Sequence, residues 1–167
     1  MEQFLDNDVV AQICFVTDDI DASSQWFADL VGKPMPDETH AAVPEIAKAM
    51  YKGQPATVSA RIRMFRFGNI DVEFLQPGPE PSAWRDHLEK HGRSCHHIAF
   101  RTRNLTEKHL YLESKGHKLL QRGETRYGVG RYAYYDTEPQ LGAVIELLER
   151  DSEKVPQPDA TVAGGRP

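Results

Sequence analysis

The sequence predicts an α+β fold built from two strand–helix–strand–strand–strand modules. Three observations carry that expectation. QICFVTDDI at 12–20 and HIAFRTRNL at 97–105 share one pattern, with identity at Ile, Phe and Thr. Each opens a helical stretch that closes on a glycine, Gly32 or Gly116, as helix ends commonly do. Each half then finishes on a matching strand, DVEFL at 71–75 and VIELL at 144–148. The first module is placed at 8–76, a connecting helix at 77–92 and the second module at 93–149. A disordered tail, 150–167, is rich in Pro, Gly and polar residues.

A chain of 167 residues holds one domain, or two small modules sharing a core. A net charge of -5 with no Arg/Lys-rich block argues against a nucleic-acid binder. No apolar run reaches the roughly 18 residues of a membrane span. The first residues, MEQFLD, lack the basic and apolar regions of a signal peptide, so a cytoplasmic location is expected. Two cysteines, Cys14 and Cys95, make neither a disulfide framework nor a zinc ribbon and read as small buried hydrophobes.

In chain order, VVAQICFV at 9–16 is a buried strand by length and β-branched content. Thr17-Asp18-Asp19 supplies caps for a helix carrying Ile20, Ser23, Trp26, Phe27 and Leu30 at helical spacing, with Trp26 and Phe27 expected in the core. Residues 33–57, with four prolines, form an excursion that includes a short helix from Pro44 and covers a site. Val58 to Phe67 alternates, with Val58, Ala60, Ile62 and Met64 on one face and Arg61 and Arg63 on the other. Ile70 to Gln76 is its return strand. Ser82 caps a helix carrying Trp84 and Leu88, closed by Gly92. His97 to Thr102 is a strand, and Asn104 caps a helix with Leu105, His109 and Leu112. Strands at 117–122, 131–135 and 143–148 flank a glycine-bearing loop, GETRYGVG at 123–130.

The repeat places four polar residues in otherwise apolar strands: Gln12 and His97 at the starts, Glu73 and Glu146 at the ends. A carboxylate on a buried face is costly unless paired or bound to a metal. Two carboxylates, one imidazole and one amide oxygen suit a divalent cation, whose charge the glutamates would neutralise. Alternation directs His96 to the face opposite His97.

The residues QICFVTDDIDASSQWFADLVG, GNIDVEFLQP, HLEKHGRSCHHIAF and GAVIELLE resemble the vicinal oxygen chelate superfamily over roughly 8–149. That group includes glyoxalase I, methylmalonyl-CoA epimerase, extradiol dioxygenases and bleomycin-resistance proteins. HLEKHGRSCHHIAF is most similar to the epimerases. The resemblance implies two βαβββ modules forming a curved mixed sheet around a central metal and ligand cavity. It places the metal ligands on Gln12, Glu73, His97 and Glu146. Epimerases usually have histidine at the first position and often glutamine at the second, so this ligand set is instead similar to that of animal-type glyoxalase I. With His97 the one histidine among the four, the two-histidine, one-carboxylate triad of ferrous dioxygenases is not formed.

What the resemblance implies for chemistry is proton transfer next to a carbonyl, in an enzyme of the isomerase, epimerase or lyase kind. The cofactor would be a divalent metal, Zn, Ni, Co or Mn, acting as a Lewis acid. Glu146 is the candidate base that doubles as a ligand, and Glu45, in the excursion, is a candidate second base. Arg126, Tyr127 and Arg131, on the glycine-bearing loop, either hold an anionic part of a substrate or belong to a solvated turn, and Tyr134 is a further substrate-binding candidate. The substrate is a small molecule such as an acyl-CoA or ketone, or the hemithioacetal of a lactoylglutathione lyase. A non-catalytic binder of the antibiotic-resistance type is the other class. Neither nucleic acid nor membrane is an expected partner, and family members are often homodimers.

Overall fold

Among the described residues ten strands form one mixed, curled sheet, whose longer strands are rich in β-branched and aromatic residues. The computed structural model describes residues 4–5 and 9–151; the tail expected from 150 lies, from 152 onward, outside the described residues. Chain order is β1 (Val10–Val16), α1 (Ile20–Val31), β2 (Glu38–His40), α2 (Pro44–Ala47), β3 (Met50–Tyr51), β4 (Gln54–Pro55), β5 (Ala60–Arg66), β6 (Asp71–Pro77), α3 (Ala83–His91), β7 (Ser94–Arg101), α4 (Leu105–Ser114), β8 (Leu119–Glu124), β9 (Gly130–Tyr135), α5 (Glu138–Leu141) and β10 (Val144–Arg150). Across the sheet the order is β2-β5-β6-β1-β7-β10-β9-β8-β3-β4. The two repeated strands, β1 and β7, lie antiparallel at its centre, each with its module's last strand parallel beside it. No helix among the described residues is long and apolar enough to cross a membrane.

Repeated sequence produces repeated tertiary bonds. The Thr17 N–H donates to the Leu75 carbonyl at 3.0 Å, and the Thr102 N–H to the Leu148 carbonyl at 2.9 Å. The first N–H of α1, from Ile20, reaches Gln76 Oε1, and that of α4, from Leu105, reaches Glu149 Oε1, each at 3.1 Å. These donors have no partner within their own helices, so a strand side chain serves as the cap. The Asp19 carboxylate caps α1 as expected, accepting from the Ala22 N–H. Asn104 does not cap α4: it is left-handed with φ 56° and makes no side-chain cap bond, and Glu149 takes over that role.

The helices α1 and α4 cover the convex face. Under α1 an aromatic cluster joins Phe27 to Phe65, Phe67 and Phe74. The inward stripe of α1 is Ile20, Ser24, Phe27 and Ala28, whereas Trp26 and Leu30 are each 65% exposed. The expectation that Trp26 is core is therefore corrected. Trp26 stands about 100° around the helix from Phe27, and the Phe65–Phe74 cluster lies under Phe27. Arg61 and Arg63 also face outward, bound to Asp21 and Glu38.

The excursion is more ordered than its composition suggests. β2 extends one edge of the sheet beside β5, while the β3–β4 hairpin extends the other edge beside β8. Residues 41–49 thus run from one edge of the curled sheet to the other and strap its concave side. The strap seats closely: a side chain at Gly123 of β8 would press on the Ala47 carbonyl at 3.0 Å and on the Tyr132 ring.

The contrast on α1 has a measurable consequence. Phe27→Ala is expected to destabilise the protein by about 3 kcal/mol, while Trp26→Ala stays within about 0.5 kcal/mol. Urea denaturation of the two variants checks this, and equal losses would contradict the packing described.

Candidate metal centre

The pairing register assembles the concave floor in two rows. Glu73, Cys14, His97 and Val144 are neighbours across β6, β1, β7 and β10; Gln12, Ala99 and Glu146 form the next row across β1, β7 and β10. The repeat relates Gln12 to His97, Cys14 to Ala99 and Glu73 to Glu146. The polar residues occupy the diagonal positions, and the small Cys14 and Ala99, both fully buried, leave room between them.

All four expected ligands converge. Gln12 Nε2 donates to Glu73 Oε2 at 2.7 Å and stands 3.1 Å from His97 Nε2. The same His97 nitrogen is 3.0 Å from Glu146 Oε2 and 3.4 Å from Glu73 Oε2. A six-coordinate ion with bonds of about 2.1 Å holds adjacent donors about 3 Å apart, which is the spacing found. Turning the Gln12 amide would bring Oε1 to the place Nε2 occupies. Glu146 Oε2 is buried and, despite its closeness to His97, receives no hydrogen bond. An anionic oxygen left in that state favours a cation, so the donor set and its spacing fit a divalent metal. By mutual proximity the group is Cys14, Glu73 and His97, with donor atoms within 4.8 Å of one another, and Glu146 joins it through His97 Nε2.

The electrostatics agree. Burial opposes a charge on His97, but its neighbours, Cys14 and then Glu146, outweigh burial and hold the imidazole pKa well above its usual value. Burial, and then the Glu73 charge, push the Cys14 thiol far up. Burial, then Glu146 and Glu73, likewise keep the Tyr134 hydroxyl protonated.

His96 departs from the sequence reading. It is fully buried and lies on the same side as His97, because β7 bulges there: Cys14 pairs with His97 and Phe15 with Cys95, leaving His96 without a register partner. An extra residue in one strand breaks the alternation. Both rings contact Tyr134, and His96 Nδ1 lies 2.8 Å from His97 Nδ1. Burial, and then the His97 charge, hold the His96 pKa well below the ordinary imidazole value, so His96 is a neutral acceptor. It can take the Nδ1–H of His97 and so leave the Nε2 lone pair facing the cluster, the usual outer support for a metal-ligating histidine.

The centre forms the floor of a cavity of about 250 Å³. Ile62, Leu75, Val58, Trp84, Tyr132 and Leu148 supply its apolar wall, and Ala42 and Ala47 of the strap its roof. Of the substrate-binding candidates, Tyr134 lines the wall and the exposed Arg126 stands at the mouth. Tyr127 is 72% exposed and off the cavity. Arg131 is committed elsewhere, to Glu149 at 2.7 Å and Asp151 at 2.7 Å. Glu45 sits on the exposed side of α2 and does not line the cavity, because the short helix turns Ala47 inward. Trp84, Tyr132 and His96 were missed as site residues, although a tryptophan one helical turn from Leu88 and tyrosines spaced by two already implied inward faces.

Residues 11–135 match the family model described as the Glyoxalase/Bleomycin resistance protein/Dioxygenase superfamily. No curated protein matches by sequence. Among solved structures, methylmalonyl-CoA epimerase from Mycobacterium tuberculosis is similar with a TM-score of 0.61 and 18% identity, over 90% of this chain and 93% of that one. A methylmalonyl-CoA epimerase in complex with methylmalonyl-CoA and NH4+ has a TM-score of 0.61 and 21% identity, over 89% and 98%. A Streptomyces coelicolor epimerase variant in complex with 2-nitronate-propionyl-CoA has 0.60 and 22%, over 89% and 97%.

The support given by His96 is open to direct measurement. His96→Leu is expected to weaken metal binding roughly ten- to hundredfold, and His96→Gln, which keeps an acceptor, to weaken it less. Competition against a chromophoric chelator reads both, and equal affinity in wild type and His96→Leu would remove His96 from the site.

Proposed function

The chain belongs to the Glyoxalase/Bleomycin resistance protein/Dioxygenase superfamily, and from that premise we propose that it is a metal-dependent isomerase that moves a proton next to the carbonyl of a small acyl-CoA or ketone, as a methylmalonyl-CoA epimerase does. The observation that carries this reading is the convergence of Glu73 and Glu146 on His97 at the floor of a small, largely apolar cavity. Gln12, Glu73, His97 and Glu146 would hold a divalent ion, Zn, Ni, Co or Mn. Once bound, such an ion polarises a carbonyl oxygen and offsets the negative charge that builds there.

The remaining work falls to the chain itself. Glu146 is the proposed base, since its Oε2 is buried and accepts no hydrogen bond. Glu73, its counterpart in the other module and 3.4 Å from the same His97 nitrogen, is the proposed group that returns the proton. A volume of about 250 Å³ admits a short acyl group and leaves a nucleotide outside, near Arg126 at the mouth. The strap narrows the floor's access to water, which strengthens the electrostatic interactions there.

A second reading, a lactoylglutathione lyase (glyoxalase I)-like enzyme, is favoured by Gln12 and Glu73, which stand where the epimerases usually have histidine and often glutamine. Both readings share the proton transfer and differ in substrate. Incubating the metal-loaded protein with methylmalonyl-CoA in deuterated water is expected to place deuterium at the carbon between the carbonyls. Glu146→Gln should slow that exchange about 10²- to 10⁴-fold. Turnover of a hemithioacetal without exchange into methylmalonyl-CoA would favour the lyase. Silence with both substrates, in a protein that retains no metal, would leave a non-catalytic binder.

A further inference from the structure

Away from the cavity floor, α3 carries His87 and His91 one turn apart, and rings so spaced share a helix face. Their centroids are 4.7 Å apart. Opposite them stands Glu138, the first residue of α5, with Oε1 2.9 Å from His91 Nε2. A donor atom from each of the three residues lies within 4.8 Å of the other two. Tetrahedral zinc, with bonds of about 2.0–2.1 Å, needs donors about 3.4 Å apart, so side-chain adjustments of about 1 Å bring the set together.

The buried member has a ring nitrogen to spare. His87 is 6% exposed. Its ring faces the Ser94–Cys95 edge of β7, with Nε2 2.9 Å from Ser94 Oγ. The Ser94 hydroxyl donates to the Gly92 carbonyl at 3.0 Å, so it accepts from His87 Nε2–H. That leaves Nδ1, which is buried and without a hydrogen-bond partner, carrying the lone pair. A ligating imidazole is commonly held this way, its other N–H fixed by an outer partner. Burial, and then the neighbouring His91, lower the His87 pKa, so protons compete weakly for that nitrogen. The competitor present is Lys90, whose ammonium also contacts Glu138 Oε1. Its side chain is 64% exposed and can swing away.

We propose that His87, His91 and Glu138 form a second divalent-cation site, suited to zinc, that pins α3 to the α5 turn. Water would complete its coordination. The α3 helix also carries Trp84, which lines the substrate cavity, and His87 lies against His96 with ring centroids 4.9 Å apart. An ion here would therefore fix one wall of the cavity without touching substrate.

The full chain, stripped with a chelator and dialysed against zinc, gives the test by elemental analysis of the bound metal. Two zinc ions per chain are expected in wild type, and one in His91→Ala and in Glu138→Gln, both at partly exposed positions that leave the floor of the cavity intact. Lys90→Ala should keep both ions and bind the second several-fold more tightly in competition with a chromophoric chelator. An unchanged zinc count between wild type and both His91→Ala and Glu138→Gln overturns the proposal, whatever that count is. A fall from one to none would uphold this site while removing the metal from the proposed catalytic centre, so the two readings fail separately.

Discussion

Two carboxylates buried in one core set the terms for everything around them. Glu73 is 6% exposed and Glu146 3%. Ions held in that way cost several kcal/mol each unless countercharge and hydrogen bonds compensate. The chain answers with the His97 imidazole between them and with the Gln12 amide on Glu73. One oxygen of Glu146 still has no hydrogen bond. An imidazolium at His97 leaves this group one charge short of neutral, whereas a divalent ion balances both glutamates. The features that are expensive for folding are therefore the ones the proposed cation would use, and they sit on adjacent strands of one sheet.

The placement of these donors comes from the repeat. Each module contributes one neutral and one anionic donor, and the antiparallel meeting of β1 and β7 brings the two pairs face to face across Cys14 and Ala99. Matching bonds from Thr17 to Leu75 and from Thr102 to Leu148 fix the two turns at the same depth. The asymmetric part is the strap. Only the first half sends residues 41–49 across the concave side to the far edge, where β3 pairs with β8. The symmetric sheet thus provides the donors, and the asymmetric strap defines the space above them.

Much of this was legible in the residues themselves. Gln12, Glu73, His97 and Glu146 stood out because each interrupts an apolar strand and each has a twin in the other half. Period-two alternation then assigned their faces correctly. His96 was misread because alternation fails at a bulge, and a bulge is set by pairing with β1, which leaves no mark in the sequence of β7. Trp26 and Phe27 are neighbours on one helix, and the phenylalanines of β5 and β6 decide which of them turns inward. Arg131 is a substrate candidate by sequence alone, but Glu149, on the adjacent strand, and Asp151, just past its end, engage its guanidinium. Glu45 sat in a segment that does cover the cavity, but a helix of one turn presents one side only, and Ala47 occupies it.

The cavity floor also limits which chemistry these residues can perform. The Cys14 thiol is kept neutral by burial and the charge of Glu73, so it is not an available nucleophile near neutral pH. Tyr132 and Tyr134 are held protonated by burial and the charge of Glu146, so they are not available as bases. Arg126 and His40 stand at the exposed mouth, and neither contacts the floor residues. In the proposed reaction, proton transfer at the floor falls to Glu73 and Glu146, one from each module and both close to His97 Nε2. A fold that duplicates a carboxylate across a pseudo-symmetric seam has, in the duplication itself, the pair of groups that removing and returning one proton requires.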